Sequence, residues 1–473
     1  MDIITGKILK LNNWPDGRII GLAKDAAAKL MEQGMERDAV LAQLEAVRQN
    51  PGSFLTDAVT ADLARECIRT MQKDEPKPET LREGPLPFPI WGRDNIDDEA
   101  VKQMNNAMRL PVTVTGALMP DAHVGYGLPI GGVLATENVV IPYAVGVDIA
   151  CRMRLSVYEV SPNLLGQKKG LFEESLWNET AFGMGAKWTG AKKAQHEVLD
   201  DSAWFATRQL QTLKDTAMNQ LGTSGTGNHF VEWGSFKLHE DTFGLKAGQY
   251  LALLSHSGSR GVGAKIADRF SKLAMEKHPN LDKSVKHLAW LSLDSEEGQE
   301  YWLSMELAGR FASANHYIIH KRVAAAIGLK EVAAVENHHN FAWHETLADG
   351  RKVIVHRKGA TPAGKGVLGV IPGSMGDAGY VVRGRGVENS LSSASHGAGR
   401  KMSRRVAIDS ISKSARDVYL KERGVTLLGG GLDESPQAYK QIEDVIAAQN
   451  DLVEIVGKFS PKIVRMADEP GDI

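Results

Sequence analysis

A carboxylate and a thiol stand three residues apart in the first third of the chain, directly after an apolar run. The run Val139–Val145 predicts a strand, and Asp148 and Cys151 follow it. A carboxylate and a thiolate together can hold a divalent metal, and one sulfur can bridge two ions. A lone cysteine is also often a small buried hydrophobe, and this alternative stays open for the stretch taken alone. If the pair binds metal, the fold must bring further ligands to the end of this strand.

Four polar motifs lie downstream, three of them rich in glycine, and each carries at least one histidine. They span residues 222–232, 255–261, 337–341 and 395–400, and include His229, His256, His338, His339 and His396. A histidine among glycines has little apolar surface to pack against, and neutral imidazole is the commonest metal ligand. Asp148, Cys151 and three histidines suffice for two adjacent metals.

The fourth motif differs from the others because a basic stretch follows its histidine. His396 precedes Gly-Ala-Gly, and then come Arg400, Lys401, Arg404 and Arg405. This pattern predicts a glycine-rich loop that opens a helix, and N–H groups at a helix start suit a phosphate. The alternative is a capped, solvated basic helix. Gly359–Gly366 is a near match to a P-loop, but Gly366 replaces the required Ser or Thr and a strand follows, which excludes that motif.

Composition excludes several classes of protein. The 473 residues carry a net charge of -2, so contact with nucleic acid has to rely on a local basic patch. Two cysteines exclude a disulfide scaffold and fit a reducing compartment. We see neither a signal peptide nor an apolar run long enough to span a membrane, and we therefore expect a cytoplasmic protein.

The pattern changes twice along the chain. We predict a helical N-terminal unit over 1–75, a linker rich in Pro, Lys and Glu over 76–89, and a mixed helix-and-strand region over 90–473. Helices are expected over 22–32, 36–49 and 57–72 in the first unit, and over 98–108, 400–424 and 438–456 later. Cys67 falls on the apolar face of the third helix, which indicates a core residue without a chemical role.

Together and in this order, the motifs resemble those of the RtcB family of RNA ligases, which join a 3′-phosphate to a 5′-hydroxyl. The matching stretches are MPDAHVGYGLPIGGV, VGVDIAC, GTGNHFVE, HSGSRG, HHN, HRKGAT, PGSMG, SSASHGAGRKMSR and AYKQI. Each is short, but the ordered set is highly specific and spans about residues 90–465. The resemblance implies an α/β fold of the α+β type, in which strands line a central metal cleft and helices surround them.

The resemblance also implies roles for individual residues. The implied ligands of two Mn²⁺ ions, with the thiolate shared, are Asp148, Cys151, His229, His256 and His339. His396 corresponds to the histidine that becomes guanylylated by GTP. The residues implied around the guanine nucleotide are Asn228, Glu232, Asn340, Ser374, Ala398, Gly399 and Tyr439.

Three positions depart from the family pattern. Ala150 and Arg152 stand where glycines are usual, so we expect a stiffer loop at the metal. Arg465 stands where the family has a lysine that contacts the nucleotide; it keeps the charge but not the shape. An archease-like activating partner is a further implication of the resemblance.

The implied reaction agrees with elementary chemistry. A neutral imidazole is nucleophilic at pH 7, and its attack on GTP gives a phosphoramidate that can pass GMP to an RNA 3′-phosphate, or an end derived from a 2′,3′-cyclic phosphate. The 5′-hydroxyl then displaces GMP, as RNA repair or tRNA splicing requires. By raw affinity Zn²⁺ would bind such ligands more tightly than Mn²⁺, so we expect zinc to inhibit. Two alternatives remain, a dinuclear metal phosphoesterase and an inactive RNA-binding relative.

A locally basic cleft is the electrostatic counterpart of this hypothesis. We expect it to be formed by Arg152, Arg260, Arg357, Lys358, Arg400, Lys401, Arg404 and Arg405. The affinity for single-stranded RNA should then fall with salt, with a log–log slope of about 0.7 per phosphate contacted. Titrations at several salt concentrations measure this slope, and an affinity independent of salt would contradict a basic cleft.

Overall fold

The computed structural model describes residues 4–15, 17–71 and 79–468. The chain forms two compact units, Met1–Pro78 with Asp294–Glu296, and Glu79–Leu293 with Glu297–Ile473. Residues 76–78 of the predicted linker lie outside the described residues, and the predicted domain boundaries stay a prediction. None of the described helices is long and apolar enough to cross a membrane.

The first unit is helical, as the spacing of its apolar residues predicts. Its helices are α1 Gly6–Leu11, α2 Arg18–Glu32, α3 Arg37–Gln49 and α4 Ala61–Met71. Gly34 separates α2 from α3 with a φ of 88°, a conformation that only glycine adopts without cost. The third predicted helix starts four residues late because the Asp57 carboxylate accepts the Thr60 N–H and holds a turn before it. Cys67 is 1% exposed in the core of this unit, as predicted.

The remaining elements mix helices and strands. The helices are α5 Asp98–Met108, α6 Pro142–Val145, α7 Leu164–Gln167, α8 Lys169–Glu179, α9 Arg208–Gln220, α10 Arg260–Lys277, α11 Glu296–Ala325, α12 Arg404–Ser410, α13 Lys413–Glu422 and α14 Ile442–Ala447. The strands are β1 Thr113–His123, β2 Ile130–Thr136, β3 Val139–Val140, β4 Arg152–Tyr158, β5 Phe230–Leu238, β6 Gly248–Ser257, β7 Leu291–Ser292, β8 Ala333–His338, β9 Asn340–Thr346, β10 Lys352–Lys358, β11 Ala360–Pro362, β12 Leu368–Ile371, β13 Gly379–Gly384, β14 Ser393–Ser395, β15 Thr426–Leu428 and β16 Val453–Met466.

Two antiparallel sheets organise the second unit. The larger has the order β12-β13-β16-β5-β6-β4-β8, with β15 pairing parallel to β16, and the smaller has the order β1-β2-β10-β9. One apolar core gathers around α5, α9, α10 and α11, and a second lies among residues of both sheets and α14. The predicted mixed fold with strands lining a central cleft is confirmed.

Three predicted elements are wrong in extent. The strand predicted over 139–145 ends after two residues, because Pro142 has the fixed φ of a first helical turn and starts α6. The helix predicted over 400–424 begins only at Arg404 and is interrupted by extended residues at Ile411 and Ser412, where the Ser412 hydroxyl caps α13.

The third incorrect element is the helix predicted over 438–456. Only Ile442–Ala447 is helical, and the 14-residue strand β16 begins at Val453. Valine and isoleucine recur along β16, and β-branched side chains favour strands. This strand lies between β13 and β5 and is therefore an interior strand of the larger sheet.

We predict that Leu44→Ala destabilises the helical N-terminal unit by about 2–5 kcal/mol, because Leu44 on α3 is fully buried and the substitution leaves a cavity. Hydrogen exchange in peptides from residues 17–71, followed in urea, measures the loss. Leu11→Ala is the control; Leu11 is 75% exposed, and its truncation should change stability by no more than about 0.5 kcal/mol. Equal effects of the two substitutions would contradict the packing described.

Candidate active site

Strand register brings the candidate ligands to one end of the larger sheet. His256 on β6 pairs with Phe230 at the start of β5 on one side and with Met153 near the start of β4 on the other. Arg152 of β4 pairs with His338, the last residue of β8. Because these strands are antiparallel, the starts of β4 and β5 meet the ends of β6 and β8. Residues just outside the strands, from four distant parts of the chain, therefore converge.

The loop that carries the carboxylate and the thiol is tightly folded. The Cys151 N–H donates to the Asp148 carbonyl at 3.1 Å, and the Ala150 N–H donates to the Asn340 carbonyl at 2.7 Å. The Asn340 amide also donates to the Asp148 carbonyl at 3.2 Å. Ala150 has a φ of 57°, in the left-handed region where glycine is favoured, and its methyl group is fully buried. The stiffer loop expected from alanine at this position stays a prediction.

Four nitrogen and sulfur donors lie within a few ångströms of one another. The Cys151 sulfur is 3.1 Å from Nε2 of His256 and 3.5 Å from Nε2 of His229. Nε2 of His256 is also 3.2 Å from Nε2 of His339. The Asp148 carboxylate lies 2.9 Å from Nε2 of His229. All five predicted ligands are therefore brought together, and Cys151, His229 and His256 form a group able to hold a metal ion.

The protonation chemistry of this cluster fits a cation site. Nδ1 of His256 lies 3.0 Å from the Asn228 carbonyl, so it carries the proton and leaves the Nε2 lone pair facing the sulfur. Burial, and next to it the charge of His229, lowers the pKa of His256 to about 3. Burial and His396 also hold the pKa of His339 well below its usual range. These imidazoles are therefore neutral at pH 7, as ligation requires.

The electrostatic environment of Asp148 and Cys151 is also one in which a cation would be stabilising. Burial acts to raise the pKa of Asp148, but the hydrogen bond and charge of His229 hold it below its usual value. Burial and the nearby Asp148 raise the pKa of the Cys151 thiol well above its usual value. A divalent cation reverses this trend because a coordinating thiol is deprotonated outright. The residues present thus fit a metal centre.

Glycines around the centre are required by close packing. A Cβ on Gly258 would lie 2.0 Å from a carboxylate oxygen of Asp148, and one on Gly225 would lie 1.9 Å from Nδ1 of His229. Both distances are far inside van der Waals contact, so no larger residue fits without moving a ligand. The glycine-rich composition of the motifs follows from the compactness of the cluster.

Two further histidines support the cluster from behind. His316 and His320 on α11 are buried, and each ring lies 2.7 Å from the Ser255 hydroxyl on β6. Ser255 directly precedes His256. The two histidines lie four residues apart on one face of α11, and their contacts attach α11 to the strand that carries the predicted ligand His256.

His396 is held by a buried aspartate that the sequence analysis did not single out. Its Nδ1 lies 2.6 Å from an oxygen of Asp121, which is fully buried on β1. The backbone N–H groups of His396 and Gly397 donate to the same oxygen at 3.0 and 3.3 Å. The His396 ring lies 4.8 Å from that of His339, which places it beside the metal cluster. An aspartate inside an otherwise apolar strand was the available signal, because a buried carboxylate requires a partner.

A cavity of about 1090 Å³ opens beside His396. Most of the predicted nucleotide residues line it. These are Asn228, Ser374, Ala398, Gly399 and Tyr439, together with the ligand His256. Two do not line it: Asn340 braces the Asp148 loop, and Glu232 is buried on β5, where burial raises its pKa well above the usual value.

Arg465 also lies outside the cavity wall, although its neighbour Met466 lines it. The Arg465 guanidinium pairs with Asp468 at 3.1 Å and donates to the Leu428 carbonyl at 3.1 Å. It also lies 4.3 Å from the centre of the Trp177 ring. These contacts hold the Arg465 side chain outside the cavity wall, and the nucleotide contact expected of it stays a prediction.

The predicted basic cleft is only partly present. Arg152 and Arg357 are buried and paired with Glu336 and Glu345, so they contribute nothing to the surface of the cleft. Burial also lowers the pKa of Lys358 to about 7. Arg400, Lys401, Arg404 and Arg405 do line the cavity. Burial explains the difference between the two groups of cations. Successive side chains on a strand face opposite sides of the sheet, and residue type alone does not reveal which side chains face the cleft.

A second buried acid, which the sequence analysis did not single out, pairs with cations that line the cavity. Glu434 is 2% exposed and receives Arg400 at 3.1 Å and Arg404 at 2.6 Å. The Tyr439 hydroxyl also donates to it. Burial, and after it Glu434, raises the pKa of Tyr439 well above its usual value, so the phenol stays protonated.

Comparison with known proteins agrees with this arrangement. The family model described as tRNA-splicing ligase RtcB matches residues 103–467, more than half of the chain. The chain belongs to the RtcB family. It is 32% identical over 410 residues to the RNA-splicing ligase RtcB1 of Escherichia coli (strain ATCC 25922), covering 78% of this chain and 95% of the relative. It is 31% identical over 455 residues to the tRNA-splicing ligase RtcB of Nanoarchaeum equitans, covering 80% and 95%.

We predict that Gly258→Ala lowers the affinity for divalent cations roughly 10- to 100-fold, because the new methyl group displaces the Asp148 carboxylate. Calorimetric titration of the metal-free protein with Mn²⁺ measures the change. Gly248→Ala is the matched control at the other end of β6, where the nearest atom to the new methyl group is 3.6 Å away. Unchanged Mn²⁺ affinity in Gly258→Ala would show that Asp148 is not a ligand.

Proposed function

We propose that this chain is an RNA ligase that joins 3′-phosphate, or 2′,3′-cyclic phosphate, ends to 5′-hydroxyl ends with GTP and Mn²⁺. Its RtcB membership and the ligase names of its relatives support the reaction class. The observation that carries the chemical proposal is the His396–Asp121 pair, at 2.6 Å, beside the metal cluster and at the wall of the cavity. Such a pair is what a histidine nucleophile needs.

Asp121 acts as the positioning residue for this nucleophile. Its carboxylate accepts the Nδ1 proton of His396, which leaves the Nε2 lone pair available. It also stabilises positive charge as it develops on the ring during attack, as in hydrolase triads. Three hydrogen bonds onto one oxygen hold the carboxylate in place.

His396 is the catalytic residue. Its Nε2 attacks the α-phosphorus of GTP, an N–P bond forms, and the bond between the α-phosphorus and the bridging oxygen breaks, releasing pyrophosphate. The GMP then moves to an RNA 3′-phosphate oxygen, which restores the imidazole. The 5′-hydroxyl oxygen finally attacks this activated phosphorus, its proton goes to solvent, and GMP leaves as the 3′–5′ phosphodiester forms.

Asp148, Cys151, His229, His256 and His339 would hold two Mn²⁺ ions. When bound, such ions neutralise charge on phosphate oxygens. The chain itself supplies the buried surroundings, the neutral imidazoles and the hydrogen bond from Asn340 that holds the Asp148 loop. Because this donor set favours Zn²⁺ by affinity, zinc competes for the site and inhibits.

Different cavity residues bind the nucleotide and the RNA end. Ser374, Tyr439 and the loop of Ala398 and Gly399 form its wall, and Gly399, with a φ of 73°, packs against the Asp121 carbonyl where a side chain would clash. Arg400 and Arg404, oriented by Glu434, present guanidinium groups to phosphates. Arginine forks match phosphate geometry better than lysine does.

The same proposal specifies the cellular process, a candidate partner and the compartment. The chain acts in RNA repair or tRNA splicing, with an archease-like activator as a candidate partner. Both cysteines are free, which supports a reducing compartment such as the cytoplasm.

We predict that incubation with labelled GTP and Mn²⁺ traps an acid-labile protein–GMP adduct, as expected of a phosphoramidate. His396→Ala should abolish the adduct, and Asp121→Asn should slow its formation by about 10²- to 10⁴-fold, because the amide no longer fixes the reactive tautomer. His239→Ala, at an exposed histidine, is the control and should label like the parent.

Two results would overturn the proposal. A protein that hydrolyses phosphoesters with Mn²⁺ but never traps GMP would be the dinuclear phosphoesterase. A protein that binds RNA but neither labels with GMP nor joins ends would be an inactive relative.

A further inference from the structure

An exposed aromatic and basic surface lies at the end of α8 and in the segment that follows it. We call it the α8 ledge and define it by Trp177, Phe182, Met184, Lys187 and Lys193. Trp177 is 54% exposed and Met184 is 94% exposed. The segment 181–196 contains three lysines and no acidic residue. Large apolar side chains that stand in solvent next to cations indicate a binding surface.

Backbone contacts attach the α8 ledge to the loop that carries a metal ligand. The Ser224 N–H donates to the Ala181 carbonyl at 2.7 Å, and the Gly183 N–H donates to the Gly225 carbonyl at 3.1 Å. Gly225 in turn packs directly on the ring of His229. Arg260 also donates to the Gly183 carbonyl, at 3.3 Å. The ledge is therefore the next layer of structure outward from the metal cluster.

Trp177 has the geometry of a stacking platform. The Arg465 guanidinium lies 4.3 Å from the centre of its ring and 5.3 Å from that of Phe182. Arg465 is itself fixed by Asp468 and precedes Met466, which lines the cavity. The indole is thus held from one side by a cation while more than half of its surface stays in solvent. Aromatic rings so presented stack with nucleobases regardless of sequence.

The lysines of the segment differ in what they do. Lys192 donates to the Asn178 carbonyl at 3.3 Å and lies over the Trp188 ring, so it supports the segment. Lys187 and Lys193 are exposed. On α8, Glu173 and Glu174 precede Trp177, and Glu173 is paired with Lys169. Glu179 lies between Trp177 and Phe182, but it is half-buried and its charge acts on Arg322. The outer part of the ledge is therefore positive.

We propose that the α8 ledge binds the single-stranded RNA that leads to one of the ends being joined. A base stacks on Trp177, and Lys187 and Lys193 contact backbone phosphates. The inference rests on the proposed RNA ligase function and deepens it. It assigns Arg465 a role as the support of the stacking ring instead of a nucleotide contact.

The test compares short and long RNA strands, of roughly 4 and roughly 12 nucleotides, each with a 3′-phosphate or a 5′-hydroxyl end. Fluorescence anisotropy measures their affinity for the full chain. Trp177→Ala should weaken binding of the long strand of at least one type about 10- to 100-fold and leave the short strands nearly unchanged. Trp177→Phe, which keeps a stacking ring, should restore most of the loss.

Two further variants separate the ledge from general effects. Phe205→Ala is the matched control, because Phe205 is 60% exposed and also carries a cation over its ring, Lys214 at 4.6 Å. It should bind long strands like the parent. The double variant Lys187→Ala/Lys193→Ala should reduce the salt slope of long-strand binding by about 1.4.

The measurements distinguish an error in the proposed RNA-binding role of the α8 ledge from an error in the proposed ligase function. GMP labelling and joining of the short ends should be normal in every ledge variant, and their absence from the parent would overturn the ligase proposal. Long-strand binding unchanged in Trp177→Ala would overturn the ledge alone. So would a Trp177→Ala protein that loses self-association in sedimentation while binding RNA normally, because the surface would then be a protein interface.

Discussion

The convergence of two imidazole nitrogens on one sulfur, with a third nitrogen beside them, is the constraint on which the rest of the structure depends. His256 touches both the Cys151 sulfur and His339, and it can do so only because β6 lies between β4 and β5 in a fixed register. A slip of one residue in either pairing would turn His256 to the opposite face of the sheet. Other features support this register. They are the long strand β16, the buried serine and histidines that contact one another behind β6, and the glycines that pack closely against the predicted ligands.

A second polar pair is built on the same principle of enforced burial. Asp121 lies in a strand with no water to solvate it, so its energy depends on the hydrogen bonds from His396 and Gly397. Glu434 does the same for the guanidinium groups of Arg400 and Arg404. In both cases a buried acid, which would be unfavourable in free energy without partners, fixes the orientation of the side chain that it binds. Such arrangements restrict motion of the catalytic groups before any substrate arrives.

The sequence allowed the ligands to be predicted more readily than the elements that carry them. Residue type singled out Asp148, Cys151 and the histidines of the polar motifs as candidates, and the family resemblance then implied which of them are ligands. Helix boundaries were less predictable because Ile411 and Ser412 fit a helical pattern and adopt extended geometry only when packed in the fold. The strand β16 was missed because short apolar stretches satisfy both periodicities until tertiary packing selects one. Asp121, Arg152 and Arg357 could not be placed because burial, which decides their partners, is a property of the folded chain.

The wide separation of the ligands along the chain has a consequence for how the protein matures. Asp148 and His339 are nearly two hundred positions apart, and they meet only after the larger sheet has closed its hydrogen bonds. Of the five predicted ligands, only Asp148 and Cys151 are close together in the sequence. The complete set of proposed ligands therefore exists only in the folded chain, so the proposed metal site forms after the sheet and not before it.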